Sequence, residues 1–435
     1  MDMQKAPKSS RLHIGIFGRT NTGKSSFLNL LSGQDVSITS SVPGTTTDVV
    51  EKTMELLPVG PVVFLDTAGL DDVSVLSDER IRKTRKMFDR SDVIMLVTEP
   101  GLWSGYEDSV VKEAAARETP VIAVINKTDL SRPSGEFIDE VKKKTGRVML
   151  CSSVGAGRRD EYINLLKRYL VETSPGSFLN PPSLAENLVA PGGTVLLIVP
   201  IDMEAPKGRL ILPQVQTIRD VLDKNAAAII VKEDGYAGML NEMKKPPDLV
   251  VCDSQVAKRM VKETPPGVKC TTFSILFAQN RGVLVDSVEA AVCIDDLKSG
   301  DKVLIAEACS HHPVEDDIGR MKIPRWLEEY TGAKLNIDTC SGRDYPENLG
   351  EYKIVIHCGG CMITPREVFM RTQKAREHDV PITNYGVCIS FLHGVLERTI
   401  EPFPDALNAW GRKNQDVRNK IQDTITKQET ITKFK

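Results

Sequence analysis

Apolar runs of strand length alternate with segments of helical period along most of the chain, a rhythm that predicts parallel sheets flanked by helices. Strands are predicted at Leu12–Phe17, Val62–Leu65, Val121–Ile125 and Val148–Cys151, and the first of them runs into a helical pattern that reaches Leu31. The rhythm breaks twice. Thr173–Gly193 (TSPGSFLNPPSLAENLVAPGG) is crowded with proline and glycine, and Glu263–Val268 (ETPPGV) is a second proline-rich polar stretch. Between the breaks lie strands at Thr194–Val199, Ala227–Val231 and Asp248–Cys252, with a helix at Pro213–Lys224. Beyond them come a strand near Phe273 and others at Lys302–Glu307, Lys334–Asp338, Tyr352–His357 and Pro381–Asn384, with a helix at Pro365–Glu377. From about Pro402 the chain turns polar; Val417, Ile421 and Ile425 keep helical spacing, which leaves a docked helix and a disordered tail both open. No repeat of fixed period is visible. These breaks divide the chain into 1–175, 176–266, 267–402 and a tail, 403–435.

Composition narrows the class without naming a function. A chain of 435 residues holds more than one core, and 41% hydrophobic with 26% charged residues is the balance of a soluble globular protein. A net charge of -3 supplies no electrostatic footprint for nucleic acid. No apolar stretch approaches the ~20 residues of a membrane span, and the first residues lack the apolar core of a signal peptide, so the cytoplasm is expected. Thiols there stay reduced, which argues against disulfides among the nine cysteines. Cys151, Cys252, Cys270, Cys293, Cys340 and Cys388 have no close cysteine neighbour and read as buried thiols.

The first segment carries five nucleotide-binding elements in order. Gly18–Ser25, GRTNTGKS, matches G-x4-G-K-[ST] and sits between a strand and a helix, the context a phosphate-binding loop requires. Backbone amides around Gly18, Asn21, Thr22, Gly23 and Ser26 would wrap the phosphates, Lys24 would meet their charge and the Ser25 hydroxyl would bind Mg2+. In PGTTTD, Thr46 is placed to reach Mg2+ when a γ-phosphate is present. In DTAG, Asp66 would hold the magnesium water shell and the Gly69 amide would sense the γ-phosphate. NKTD follows a strand: Asn126 and Lys127 build the loop, and the Asp129 carboxylate can accept from both guanine N1–H and the 2-amino group, a donor pair adenine lacks. Ser152 and Ser153 fill the last base-contacting loop. The fold class is therefore α/β, a P-loop GTPase domain with a parallel sheet followed by two smaller α/β domains.

Leu70 stands where Ras-like GTPases have a water-orienting glutamine, so slow intrinsic GTP hydrolysis is expected. The run GxxNxGKS, PGTTxD, DTAGL resembles the TrmE-Era branch of GTPases. That resemblance implies that Asn21 helps hold an activating K+ beside the phosphates, and it makes Glu79 a candidate for orienting water, against the plainer reading of an exposed acid at a helix start.

The second constellation is metal-like. Cys309, His311, His312, His357, Cys358 and Cys361 form C-S-H-H, a gap, then H-C-G-G-C. Cys309 and Cys358 each follow a predicted strand, which brings both to the carboxyl edge of one parallel sheet, where such sheets bind ligands. Gly359 and Gly360 let the loop curl so that two sulfurs reach one metal. A zinc site of three cysteines and one histidine and a [4Fe-4S] cluster with three cysteines fit the spacing equally. His357, next to Cys358 in strand geometry, would face away from the metal; His311, His312, Glu315 and Asp316 are candidates for the fourth position.

A TrmE-Era-like GTPase joined to EACSHHP, GRMKIPRW (Gly319–Trp326) and HCGGC resembles the HydF family, the GTPase maturases of [FeFe]-hydrogenases. The resemblance covers Leu12 to about Pro402 and implies a middle domain that forms a homodimer, and an iron-sulfur cluster domain with a [4Fe-4S] cluster on Cys309, Cys358 and Cys361. It further implies a scaffold and carrier that receives a transient diiron subcluster bearing CO and cyanide from two radical-SAM maturases and delivers it to apo-[FeFe]-hydrogenase. A TrmE-Era-like GTPase that assists RNA or ribosome maturation and carries structural zinc is the alternative; the absence of a basic, aromatic-laced segment speaks against it.

Overall fold

The computed structural model describes residues 10–33, 50–66, 78–154, 156–174, 176–179, 182–201, 210–308, 317–342 and 345–412. The chain folds as two compact units, Met1–Pro181 and Pro182–Lys435.

In the first unit six strands, β1 (Leu12–Gly18), β2 (Val50–Leu56), β3 (Gly60–Asp66), β4 (Val93–Thr98), β5 (Val121–Ile125) and β6 (Arg147–Leu150), form one sheet in the order β2-β3-β1-β4-β5-β6. β1, β4 and β5 are buried along their whole length because helices cover both faces. Leu12, Ile14 and Ile16 pack on one side with Phe27, Leu28 and Leu166, and Phe17 packs on the other with Met87 and Phe88. The sheet is not wholly parallel. β2 runs antiparallel to β3, and the three residues Leu57, Pro58 and Val59 join them, a connection too short for a parallel crossover.

The second unit holds two four-stranded sheets, each parallel throughout. One comprises β7 (Thr194–Ile198), β8 (Ala227–Val231), β9 (Leu249–Cys252) and β10 (Lys269–Thr272); the other comprises β11 (Lys302–Ala306), β12 (Asn336–Cys340), β13 (Ile354–His357) and β14 (Ile382–Asn384). Their orders, β8-β7-β9-β10 and β12-β11-β13-β14, are the same: second, first, third, fourth. The likeness continues past the last strand. Thr272 caps the helix Phe273–Asn280 through Ile275 N, and Asn384 caps the helix Tyr385–Leu392 through Val387 N. Each helix ends in a turn at a left-handed glycine, Gly282 (φ 71°) or Gly394 (φ 69°), before a further short helix. The two stretches read TTFSILFAQNRGVL (271–284) and TNYGVCISFLHGVL (383–396).

The modules are interlocked. Thr383 Oγ1 donates to Ser287 O at 2.8 Å, Gly386 N to Ser274 Oγ at 3.1 Å and Arg398 Nη2 to Val268 O at 2.6 Å. A single core runs from Val195, Leu197 and Val251 through Phe273 and Leu276 to Val303, Ile305 and Ile356.

Three expectations change. The strand sought near Phe273 is Lys269–Thr272, and it joins the edge of the preceding sheet rather than the following one; Phe273 opens a helix because Thr272 supplies its cap. Past Pro402 the chain does not turn at once into a polar tail: residues 404–412 are helical, with Phe403, Ala406 and Ala409 buried, while Val417, Ile421 and Ile425 lie outside the described residues. Of the cysteines read as buried, Cys151, Cys252, Cys270 and Cys388 are so, and Cys293 and Cys340 are half-buried. Among the described residues no helix is long and apolar enough to cross a membrane.

Candidate nucleotide site and cysteine loop

Every described nucleotide element of the first unit lies at the carboxyl edge of its sheet. β1 ends at Gly18, β3 at Asp66, β5 one residue before Asn126 and β6 two residues before Ser152. The phosphate loop leaves β1 between β3 and β4, the place where strand order reverses and a crevice opens.

Gly18 (φ 152°) can carry no side chain, since a Cβ there would stand 2.3 Å from Val97 O. Asn21 (φ 68°) and Gly23 (φ 86°) take left-handed conformations that turn the loop into the helix Lys24–Ser32. Lys24 is 7% exposed and donates to Gly18 O at 2.7 Å and Arg19 O at 2.8 Å, so its ammonium lies over the loop's own carbonyls. Thr22 Oγ1 closes the turn on Arg19 O at 2.9 Å, while Asn21, Ser25 and Ser26 are exposed. Asp66 is buried at the end of β3.

Asn126 joins three elements. Its Nδ2 donates to Thr22 O at 2.9 Å, and its Oδ1 accepts from Ser153 N at 3.1 Å and Ser153 Oγ at 2.9 Å. Asp129, exposed, accepts from Ser152 Oγ at 2.7 Å through Oδ1. Lys127 (φ 59°) pairs with Glu99 at 2.6 Å. Thus the structure brings together Gly18, Thr22, Gly23, Lys24, Asn126, Ser152, Ser153 and Asp129. Thr46, Gly69 and Leu70 lie outside the described residues, and Glu79 falls in the helix Asp78–Arg90.

Sequence reading missed the residues that brace the loop from outside. Glu107 is fully buried and receives Arg19 Nε at 2.9 Å, and Tyr106 OH accepts from Gly18 N at 3.2 Å. The only signal for them was Ser104 three residues ahead of Glu107, the spacing of a helix-capping box, which the structure contains.

In the second unit the HCGGC loop follows β13, and Cys358 N still donates to Ala306 O at 2.9 Å. Cys358 Sγ accepts from Ala308 N at 3.0 Å and from Gly360 N at 3.4 Å. Burial raises its pKa, and these two amides oppose the rise. His357 is buried and held at both ring nitrogens, Nδ1 against Cys358 O at 2.6 Å and Nε2 against Arg371 Nη1 at 3.1 Å. Because Arg371 can only donate, Nε2 accepts and the proton sits on Nδ1. Burial, then the charge of Arg371, pulls the imidazole pKa down to about 3. Cys358, Gly360 and Cys361 line a cleft of about 180 Å³ whose lining also includes Asp253, Ser254 and Gln255. In sequence those three follow β9 as the cysteine loop follows β13. Cys309, His311, His312, Glu315 and Asp316 lie outside the described residues, among which no group of three or more metal-binding side chains gathers.

Comparison with known proteins agrees with this division. Residues 13–127 match the 50S ribosome-binding GTPase family, residues 184–282 the hydrogen maturase F dimerization domain and residues 285–402 the hydrogen maturase F tetramerization domain. The chain belongs to the hydrogen maturase F (HydF) family. Its first unit is a P-loop GTPase domain of the TrmE-Era kind, a domain that binds GTP and Mg2+. In this member the Arg281–Gly282 turn closes the dimerization match, and the HCGGC loop falls inside the tetramerization match. Among curated proteins, the tRNA modification GTPase MnmE of Prochlorococcus marinus (strain NATL1A) is 34% identical over 163 residues, 37% of this chain and 35% of that protein. MnmE of a Synechococcus species is 42% identical over 126 residues, 28% of this chain and 26% of that protein. The chain thus spans about a quarter to a third of the length of these relatives. Among solved structures, Aquifex aeolicus Era bound to GDP·AlF4− covers 51% of this chain and 92% of its own, at 23% identity and TM-score 0.31. The G domain of the T. maritima FeoB iron transporter covers 38% and 98%, at 22% identity and TM-score 0.29.

Proposed function

We propose that this HydF family member is a cytoplasmic GTP-switched scaffold and carrier for [FeFe]-hydrogenase maturation. It holds a [4Fe-4S] cluster through Cys309, Cys358 and Cys361, receives a diiron CO/cyanide cargo derived from two radical-SAM maturases, and passes it to apo-hydrogenase. The observation that carries the reading is the Cys358 loop: a thiol at a sheet edge, separated by two glycines from Cys361, with two backbone amides directed at its sulfur. Amides aimed at sulfur suit a thiolate bound to iron, and Gly360 (φ 65°) permits the tight curl between the two cysteines. The donor set therefore fits such a cluster, whose exchangeable iron position would supply a point where a second group can bridge.

The residues of the first unit do the switching in this reading. The loop amides and Lys24 hold the phosphates, Ser25, Thr46 and Asp66 hold Mg2+, and Asp129 with Ser152 and Ser153 selects guanine. With Leu70 in place of a polar water-orienting side chain, hydrolysis is slow, and K+ beside Asn21 supplies the missing positive charge; Glu79 orients water. Nucleotide state, acting through Thr46 and the DTAG loop, biases domain docking or affinity for partners. Self-association through the second unit gives a homodimer that can pair into a tetramer, consistent with the two domain descriptions matched there.

The deciding experiment is anaerobic reconstitution of the full chain with ferrous iron and sulfide. The expected product is brown, holds about four irons per chain and bleaches on reduction, and it fails to form in Cys358→Ser or Cys361→Ser. A colourless chain that retains one zinc would overturn the carrier reading.

A further inference from the structure

A guanidinium withdrawn from water needs an anion or a full set of acceptors nearby, because its hydration is lost on burial. Two arginines are placed against the cysteine loop, and neither has a carboxylate partner among the described residues. Arg281 donates from Nη1 to Gly359 O and from Nη2 to Gly360 O, the latter at 3.0 Å, so both hydrogen bonds of its fork end on the two glycine carbonyls between Cys358 and Cys361. The ring of Phe277 lies 5.7 Å from its guanidinium carbon. Burial lowers its pKa, and the sulfurs of Cys361 and Cys358 push it back up. From the other side Arg371, 7% exposed, donates to His357 Nε2 and to Gly342 O at 2.5 Å. His357 between them is neutral. Glu307, a buried carboxylate that lines the cleft, is already matched by Arg320 at 3.4 Å.

The origin of Arg281 adds to this. It ends the helix Phe273–Asn280, which follows the last strand of the first four-stranded sheet, yet it grips a loop of the second. Glycine is required under it, since a Cβ on Gly360 would meet Arg281 Nη1 at 2.7 Å and Val368 Cγ2 at 2.9 Å. The corresponding position after the helix Tyr385–Leu392 is His393, whose ring meets Trp326 at 4.9 Å and makes no grip of this kind. The fork of Arg281 is therefore a feature of one half of an otherwise matched pair, and it reaches across to the half that carries the cysteines.

We propose that Arg281 is the positioning residue of the cysteine loop: it fixes the Gly359 and Gly360 carbonyls so that the Gly360 amide points at Cys358 Sγ, and with Arg371 it supplies positive charge to an anionic metal-thiolate group. The inference rests on the cluster reading above and adds to it a residue supplied by the neighbouring module. Two consequences separate the roles. Arg281→Gln loses both the charge and the paired grip, whereas Arg281→Lys keeps the charge and loses the fork.

The test uses the full chain, reconstituted anaerobically, with potentials read by redox titration and cluster release followed with a ferrous chelator. Arg281→Gln is expected to release iron severalfold faster and to shift the cluster potential to more negative values, while Arg281→Lys releases as fast but keeps a potential near wild type. Wild-type release and potential in Arg281→Gln would overturn the proposal, as would an Arg281→Lys potential shifted as far as that of Arg281→Gln. If Arg281→Gln fails to fold, wild-type release from Arg281→Lys overturns it alone. Amide hydrogen exchange at residues 357–361 in the metal-free chain separates the two readings. Faster exchange in Arg281→Lys is expected whether or not wild type takes up a cluster, and unchanged exchange would overturn the positioning role even if the cluster forms.

Discussion

Arg19 Nε donates to Glu107 Oε1 at 2.9 Å, linking the second residue of the phosphate loop to a carboxylate with no exposure at the start of the helix Gly105–Ala116. Glu107 also accepts from Ser104 N at 2.9 Å, and Arg19 Nη2 donates to the Ser104 hydroxyl, so helix cap and phosphate loop share one hydrogen-bonded cluster. Replacing Glu107 by Ala removes a buried acceptor while leaving its donors in place. We expect the first unit to lose about 1–3 kcal/mol in denaturant melts, and GDP affinity to fall severalfold in a calorimetric titration. A variant with wild-type affinity would show that the brace does not shape the loop.

Base selection should turn on Asp129. Ser152 holds Oδ1, and Oδ2 has no hydrogen bond among the described residues, which leaves it for the base. Asp129→Asn exchanges an acceptor pair for one acceptor and one donor. GTP affinity should fall on the order of 10–100-fold, ~1.4–2.8 kcal/mol, while binding of xanthosine triphosphate, which carries a 2-oxo group, improves. Competition with a fluorescent nucleotide reads both, and an unchanged GTP:XTP ratio would remove Asp129 from the base site.

Potassium dependence is the test of Asn21. In the full chain, GTP turnover should rise severalfold when NaCl is replaced by KCl. Because Asn21 sits at φ 68°, alanine would add backbone strain of about 1–2 kcal/mol, so Asn21→Gly is the cleaner variant. It should lose the response to K+ while still binding GDP. Equal rates in both salts for wild type would end the K+ reading.

Thiol chemistry gives a pH prediction. Burial raises the pKa of Cys151 to about 12 and of Cys270 to about 11, and raises those of Cys252 and Cys388 as well, above the ordinary thiol value of 9.0. All four should resist iodoacetamide in the native chain at pH 8 and react in guanidinium, as mapped by mass spectrometry. A folded pKa above the unfolded one favours the protonated, folded form. This contribution is complete below about pH 9 and is lost as pH climbs toward 11–12, so denaturant midpoints should fall over that range. Labelling of Cys252 in the native state would contradict its burial.

The sequence by itself determined the local chemistry. The strand-loop-helix signature at Gly18–Ser25, the NKTD run that ends at Asp129 and the tight HCGGC curl are each written in a few adjacent residues. Strand positions such as Val121–Ile125 and Ala227–Val231 were equally plain, because a short β-rich run between turn signals has few other uses. What joins distant segments was decided only in three dimensions. Arg19 and Glu107 stand 88 residues apart and Arg281 and Gly360 stand 79 apart; Arg19 fills an unspecified position of the phosphate-loop motif and Arg281 belongs to none. Nor does spacing reveal that β10 closes the first of two like-ordered sheets, since the repeat lies in strand order and paired caps rather than in a fixed period. A side chain that grips backbone carbonyls reads no sequence at its target, so the grip leaves almost no mark in either stretch until the fold brings them together.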